Sequence, residues 1–283
     1  MFNQLLSTFR LKAEIYNNAQ FCGHWQIHAH SDGLTCFHMV TLGRCRMLVP
    51  NIGEFELELG DLVVFPREIP HTMLPFEGAP ETQFKTKIFT PDSNKHGTGL
   101  LCGTLNFEHQ GFNHILDALP KVFIIKQHDA KWINPLLMQI QDEIFEQLDS
   151  DKNMLNRLSE LLFVYALRHH MQQHETSGVF TLFASIELAP ALQLMRDHPE
   201  KNWSLEQLGK ACSMSRTKFS QLFKKVSGYT VNEFFTWWRM QLAFDYLRQG
   251  QRIAQVSEQV GYSSESAFSR AFKKCFAKNP SDV

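Results

Sequence analysis

The sequence predicts an α+β protein: an N-terminal antiparallel β-barrel, two helices behind it, and an all-α C-terminal region in which a long helix joins two helix-turn-helix motifs. Three observations predict it. Short apolar runs broken by turn residues follow one another from Trp25 to Phe107. From Trp132 onward the apolar spacing becomes helical. Near the C-terminus one helical pattern occurs twice: Phe219, Leu222, Phe223 and Val226 are answered 49 positions later by Phe268, Ala271, Phe272 and Cys275.

In the barrel region the strand-like runs are 35–41, 45–49, 54–59, 62–65, 82–89 and 100–107, after a short helix expected over Met1–Phe9. Gly60-Asp61 forms a turn that feeds the buried run Leu62–Phe65, and the Pro-rich turn ending at Pro70 delivers His71 to the barrel mouth. His38 and His71, with Trp25, are expected to line a pocket there. His28-Ala-His30 and His71 have the residue types of a transition-metal site; the other reading places His28 and His30 on an exposed loop. Cys22 precedes the first expected strand and Cys102 lies on a late one. Strands distant in sequence become neighbours in a closed barrel, so the two thiols are either close together or packed separately as small hydrophobes.

The connector carries Ile133, Leu136, Leu137, Ile140 and Ile144 along one helical face and Leu155, Leu158, Leu162 and Tyr165 along another, with a turn at Asp149–Asn153. Such a pair either covers the barrel or joins a second copy of the chain. Periodicity fades over Gln172–Gly178. The expected division is therefore a barrel over 1–125, a helical connector over 126–174, a linker over 175–185 and a DNA-binding region over 186–283.

In that last region Ser204 is placed to cap a helix, with Gln207 three residues on as in a capping box. Leu205, Leu208 and Ala211 form its inner side, and Gly209 is small where a second helix crosses. The turn Ser213-Met214-Ser215 leads into the first recognition helix. Val231–Arg248 is long enough, at about 27 Å, to hold two units apart. Ile253–Val260, Gly261-Tyr262 and Ser264–Phe276 repeat the motif. Thr217, Ser220 and Gln221, and in the second copy Ser266, Ser269 and Arg270, are the candidate base readers. Arg216, Lys224, Lys225 and Lys273 are the candidate phosphate contacts.

Composition agrees. Residues 186–283 hold 14 Lys/Arg against 9 Asp/Glu, while the whole chain has a net charge of -1, so a basic end follows an acidic body. No run approaches the ~18 apolar residues of a membrane span, and the N-terminus lacks the basic-then-apolar pattern of a signal. A cytoplasmic protein with reduced cysteines is expected. None of the six cysteines forms a C-x-x-C pair, which argues against a zinc finger or a thioredoxin-like centre.

The C-terminal region resembles AraC-type transcription regulators. The matching residues are Trp203–Leu208, Met214–Arg216, Phe219–Lys225 with Gly228, Trp238–Met240, Val260–Ser263 and Ser266–Lys273 with Pro280. Gln221 stands where that family often has Arg, and Ala277 where it usually has Gly. The Gly60–Pro66 segment with His71 resembles the second motif of cupin barrels, and Leu101-Cys-Gly103, Leu119-Pro120 and Trp132 extend that likeness. Within the family the chain is similar to regulators that answer reactive chlorine, in which cysteines at positions resembling Cys22 and Cys102 are oxidised. The resemblance implies a DNA-binding regulator, in the main an activator, without catalysis or cofactor. Its implied partners are double-stranded DNA, RNA polymerase, a small-molecule effector or an oxidant at the barrel, and a second copy of the chain. The competing reading, a cupin metalloenzyme with an accessory helical domain, needs a Glu after His30 and before Gly43, and none is present.

Overall fold

The structure is a computed structural model that describes residues 11–29, 33–76, 87–89, 96–107, 116–145, 152–173 and 178–283. The helix expected over Met1–Phe9 lies outside the described residues, as does His30. The chain divides into two units. One contains the described residues of 11–106 and 120–173, and the other those of 107–119 together with 178–283.

The first unit is built on two sheets. Its strands are β1 (Leu11–Cys22), β2 (Ile27–Ala29), β3 (Thr35–Leu42), β4 (Arg44–Val49), β5 (Gly53–Glu58), β6 (Leu62–Phe65), β7 (His71–Pro75), β8 (Lys87–Phe89), β9 (Thr98–Phe107) and β10 (Phe123–Ile125). They are arranged as a six-stranded sheet β10-β6-β3-β9-β1-β8 and a four-stranded sheet β2-β7-β4-β5. Trp25, Cys36, Cys45, Met47, Leu57, Phe65, Leu100 and Cys102 belong to one buried cluster contributed by both sheets. Burying such side chains is the main term that holds the unit together, at roughly 1.5–3 kcal/mol for each large aliphatic or aromatic group.

β1, twelve residues long, lies ahead of residues 35–41, the first of the expected strand runs. Ala13 and Ile15 are buried between exposed Lys12, Glu14 and Tyr16, so the period-2 signal is present. Asn17, Asn18 and Gln20, poor strand formers, mask it. Gln20 is fully buried and its amide donates to the His96 carbonyl.

The Gly-Asp turn does what its composition suggests. Gly60 has a positive φ of 86° and packs against the Gln127 side chain, where a Cβ would not fit. The buried Asp61 carboxylate accepts from the Glu58 and Gln127 amides and from Lys126 Nζ at 2.7 Å. That joins the β5–β6 turn to the chain leaving β10.

Two helices complete the unit, α1 (Ile133–Phe145) and α2 (Asn153–Gln173). α2 lies along β1 and satisfies backbone groups that strand pairing leaves open. Glu160 Oε1 accepts from the Ala13 amide, Asn156 Oδ1 from the Ile15 amide, and Lys152 Nζ donates to the Ile15 carbonyl.

The second unit is helical: α3 (Val179–Ala184), α4 (Ala189–Asp197), α5 (Leu205–Ala211), α6 (Arg216–Ser227), α7 (Val231–Arg248), α8 (Ile253–Gln259) and α9 (Glu265–Phe276). α3 occupies residues expected to be linker. Val179, Phe180 and Leu182 are fully buried, and α3 packs on α6. α7 is buried nearly all round, with Phe234, Phe235, Trp237, Trp238, Met240 and Phe244 inside, as a helix must be when other helices pack on every side.

Candidate DNA interface and sensor cleft

Each recognition helix is set by its own sequence. Ser204 and Gln207 form the expected capping box on α5. Gly209 lets α6 approach: a Cβ there would stand 3.0 Å from the Met214 carbonyl and 3.3 Å from the Phe219 Cβ. Ser215 Oγ caps α6 by accepting from the Lys218 amide, and Ser264 Oγ caps α9 by accepting from the Ala267 amide. Each such cap contributes about 1 kcal/mol. Both helices are twelve residues long, and Phe219 and Phe223 in one, Phe268 and Phe272 in the other, are fully buried.

The opposite faces point to solvent. Arg216, Thr217, Gln221, Lys224 and Lys225 are exposed on α6, with Ser220 half-buried and its hydroxyl donated to the Thr217 carbonyl. On α9, Ser266, Arg270 and Lys273 are exposed and Ser269 is half-buried. Among the described residues none of Arg216, Lys224, Lys225, Arg270 or Lys273 lies within ion-pair distance of a carboxylate, so their charges remain directed outward. Ser220, Gln221, Lys224 and Lys225 also border a cleft of about 630 Å³ floored by Trp203, Leu208 and Phe235.

Sequence reasoning passed over the residue that ties the loop entering the first motif to the turn of the second. Arg239, on α7, donates from Nε to the Pro199 carbonyl at 2.6 Å and from Nη2 to the Lys201 carbonyl at 2.8 Å. The same guanidinium lies against Gly261, in the turn of the second motif. The signal available was its place in the Trp238-Arg-Met240 match, which by itself says nothing of a brace.

In the sheet unit the candidate sensor residues separate into two groups. His38 and His71 meet in the interior, Nε2 to Nε2 at 2.7 Å. His71 Nδ1 lies 2.8 Å from the Ile69 carbonyl and must carry a proton to bond it. Neutral His71 then accepts through Nε2, so His38 donates from its own Nε2 and is left with a bare Nδ1. That atom is buried and has no partner. Burial, with the neighbouring His71, lowers the His38 pKa to about 3; burial lowers that of His71 as well. Both rings are therefore neutral at physiological pH.

Trp25 and Cys22 lie elsewhere, at an open cleft of about 490 Å³ that also involves Phe21, Arg44, Phe76 and Gly97. The Arg44 guanidinium sits 3.7 Å from the centre of the Phe76 ring. Cys22 Sγ donates to the His96 carbonyl at 2.7 Å. Cys102 is buried on β9, its sulfur taking a long hydrogen bond from Asn17, and burial pushes its thiol up to about 12.

Two pairs of alternatives left open by the sequence are narrowed here. Gly97, which touches Cys22, stands five positions before Cys102, about 17 Å of extended chain, so the two thiols are not neighbours. A disulfide needs Cα atoms within roughly 7 Å. The metal set fails for a reason of register. His28 lies on strand β2, not on a loop, and opposes Thr72, while Ala29 opposes His71. Successive strand residues face opposite ways, so His28 and His71 point to opposite sides of the sheet. His28 Nδ1 contacts Thr72 Oγ1 at 3.1 Å, and both ring nitrogens of His71 are engaged. No group of three metal-ligating side chains occurs among the described residues.

Both parts of the chain match known protein families. Residues 1–172 match the Cupin family and residues 208–283 a helix-turn-helix domain family. An uncharacterized HTH-type transcriptional regulator of Haemophilus influenzae is 29% identical over 99% of this chain and 96% of its own. The RCS-specific HTH-type transcriptional activator RclR of Escherichia coli K12 is 25% identical, covering 99% of this chain and 95% of that protein. Among solved structures, ToxT of Vibrio cholerae O395 aligns with 98% of this chain and 96% of its own at 11% identity and a TM-score of 0.39. No helix among the described residues is long and apolar enough to cross a membrane. The chain belongs to the Cupin family through its first 172 residues and, with the helix-turn-helix domain that follows, is an AraC-type DNA-binding transcription regulator, not an enzyme.

Proposed function

We propose that α6 and α9 enter successive major grooves on one side of the operator. Thr217, Ser220 and Gln221 read bases in one groove, and Ser266, Ser269 and Arg270 in the next. Arg216, Lys224, Lys225 and Lys273 hold phosphates. The observation that carries this reading is the pair of matched faces: two serine-capped helices of equal length, apolar toward α7 and unpaired in charge toward solvent. Major grooves on one side of DNA recur every ~34 Å, a span within reach of two helices hung from an 18-residue spacer. Hydroxyl-radical footprinting on the promoter nearest its own gene tests it. Two protected patches one helical turn apart are expected, and a single patch would reject the arrangement.

The sheet unit receives the signal at the cleft shared by Cys22 and Trp25. An accessible sulfur, a guanidinium and aromatic walls meet there, whereas Cys102 is sealed in the core. The regulator works in the cytoplasm as an activator that brings RNA polymerase to the promoter, and the connector over 126–174 pairs two copies. In vitro transcription with and without hypochlorous acid separates the two kinds of signal. Induction lost in Cys22→Ser but kept in Cys102→Ser identifies oxidation at the cleft. Induction in neither wild type nor variant directs the search to a small effector in the same place.

A further inference from the structure

The helical unit contains a cavity that DNA binding does not explain. It measures about 190 Å³ and lies between α3, α4 and α7, walled by Phe183, Ala189, Leu192, Phe234 and Trp238 with Gln193 and Arg196 at its open edge. An apolar cavity of ~150 Å³ is enough to admit benzene. This one is not wholly apolar. Trp238 is 5% exposed, and its indole N–H is buried without an acceptor. Phe234 and Trp238, four residues apart, present one face of α7 to it. Buried polar groups are nearly always partnered in proteins, so the unbonded indole N–H of a residue that lines a void points to something that fills it.

The chemistry selects the occupant. The walls are aromatic and aliphatic. The charged group at the edge is a guanidinium, whose Nε bonds Asp197 and whose other nitrogens are further donors. The orphan on the cavity wall is another donor. An occupant with a ring for the walls and an anionic acceptor for the donors satisfies both. We propose that this cavity is a binding site for a small aromatic carboxylic acid, its ring among Phe183, Leu192, Phe234 and Trp238 and its carboxylate toward Arg196. Bound there, the acid braces α4 against α7, the helix that joins the two recognition motifs. It therefore acts on the DNA-binding unit itself, independently of any signal in the sheets and of which residues read the operator.

The test uses the full-length chain, labelled with ¹⁵N, and phenylacetate as the probe. The chain has five tryptophans, and the indole N–H resonance missing in Trp238→Phe assigns that of Trp238. Phenylacetate is expected to shift this resonance saturably. Phenylacetamide, of the same shape without the charge, should bind about tenfold more weakly, as should phenylacetate to Arg196→Gln, a loss in the range of a charged hydrogen bond. Ala189→Met, which grows a wall into the cavity, should abolish the shift; Leu192→Trp replaces it if circular dichroism shows that Ala189→Met does not fold. A Trp238 resonance that stays still throughout, reporting only exchange with water, overturns the proposal in favour of a hydrated void. A shift that survives the filled cavity overturns it too, because the acid then binds elsewhere.

Discussion

Gly261, in the turn of the second helix-turn-helix, rests on the carbonyl of Glu200 in the loop that leads into the first, where a Cβ would come within 2.5 Å of that oxygen. Its φ is 79°, so an alanine there is strained as well as crowded. Gly261→Ala is expected to destabilise the helical unit by at least about 1–2 kcal/mol. Arg239, which bonds the neighbouring carbonyls, should behave similarly: Arg239→Met leaves the Pro199 and Lys201 carbonyls without their charged donor, at a cost of roughly 1.5–3 kcal/mol. Urea denaturation measures both. Unchanged midpoints would mean that the two motifs are not braced through this contact.

Ala277 closes α9 in the left-handed region, at φ 56°, a conformation in which glycine is free of strain. Ala277→Gly should stabilise the protein by up to about 1 kcal/mol, read as a rise in melting temperature with unchanged DNA affinity. A fall in melting temperature would show that the backbone here is relaxed.

The buried imidazole pair makes stability depend on acid. In the unfolded chain His38 takes up a proton near its ordinary pKa of 6.5; in the fold it does so only near pH 3. Between those values the unfolded state holds more protons, so stability falls as pH falls, by about 1.4 kcal/mol per pH unit for each such histidine. His71, also lowered, adds in the same direction. Denaturation at pH 7 and pH 5 should show the loss, and His38→Gln should reduce its slope. Equal stability at both values in wild type would mean the pair is protonated in the fold.

On DNA the two kinds of contact should part. Arg270→Ala is expected to cost about 1–3 kcal/mol on the operator and to relax preference at one base pair, most simply a guanine. Lys224→Ala should weaken specific and random DNA alike and flatten the salt dependence by about one unit. Binding titrations at several salt concentrations distinguish them, and equal losses on operator and random DNA for Arg270→Ala would remove it from base reading.

Differential alkylation ranks the thiols. Cys22, half-exposed at its cleft, should react with iodoacetamide ahead of Cys36, Cys45 and Cys102, which are buried with thiols held in the protonated form. Mass spectrometry at short reaction times reads the order. Early labelling of Cys102 would mean that the sheets open readily.

The recognition helices were legible because their information is local. Ser204 with Gln207, Ser215, Gly228 and the Phe219–Phe223 spacing each specify something within one or two turns. α3 was not, since Val179–Ala184 is too short and too apolar to show a polar face, and a polar stretch precedes it. The sensor residues were the least legible. Cys22 and Cys102 do lie on adjacent strands, but only the register places them far apart along those strands. His28 and His71 likewise share a pair of strands, and one residue of register puts them on opposite faces. Arg239 looked like one more basic residue on a helix, because its partners are backbone carbonyls some forty positions away.

The bonds from Glu160, Asn156 and Lys152 to β1 make α2 a replacement for a missing strand. Without that helix the amides of Ala13 and Ile15 would stand open along an exposed edge, the surface on which sheets of different molecules pair. A fragment ending at Phe145 would keep every strand of both sheets and still be expected to aggregate, so an isolated sensor fragment for biochemistry has to run through Gln173.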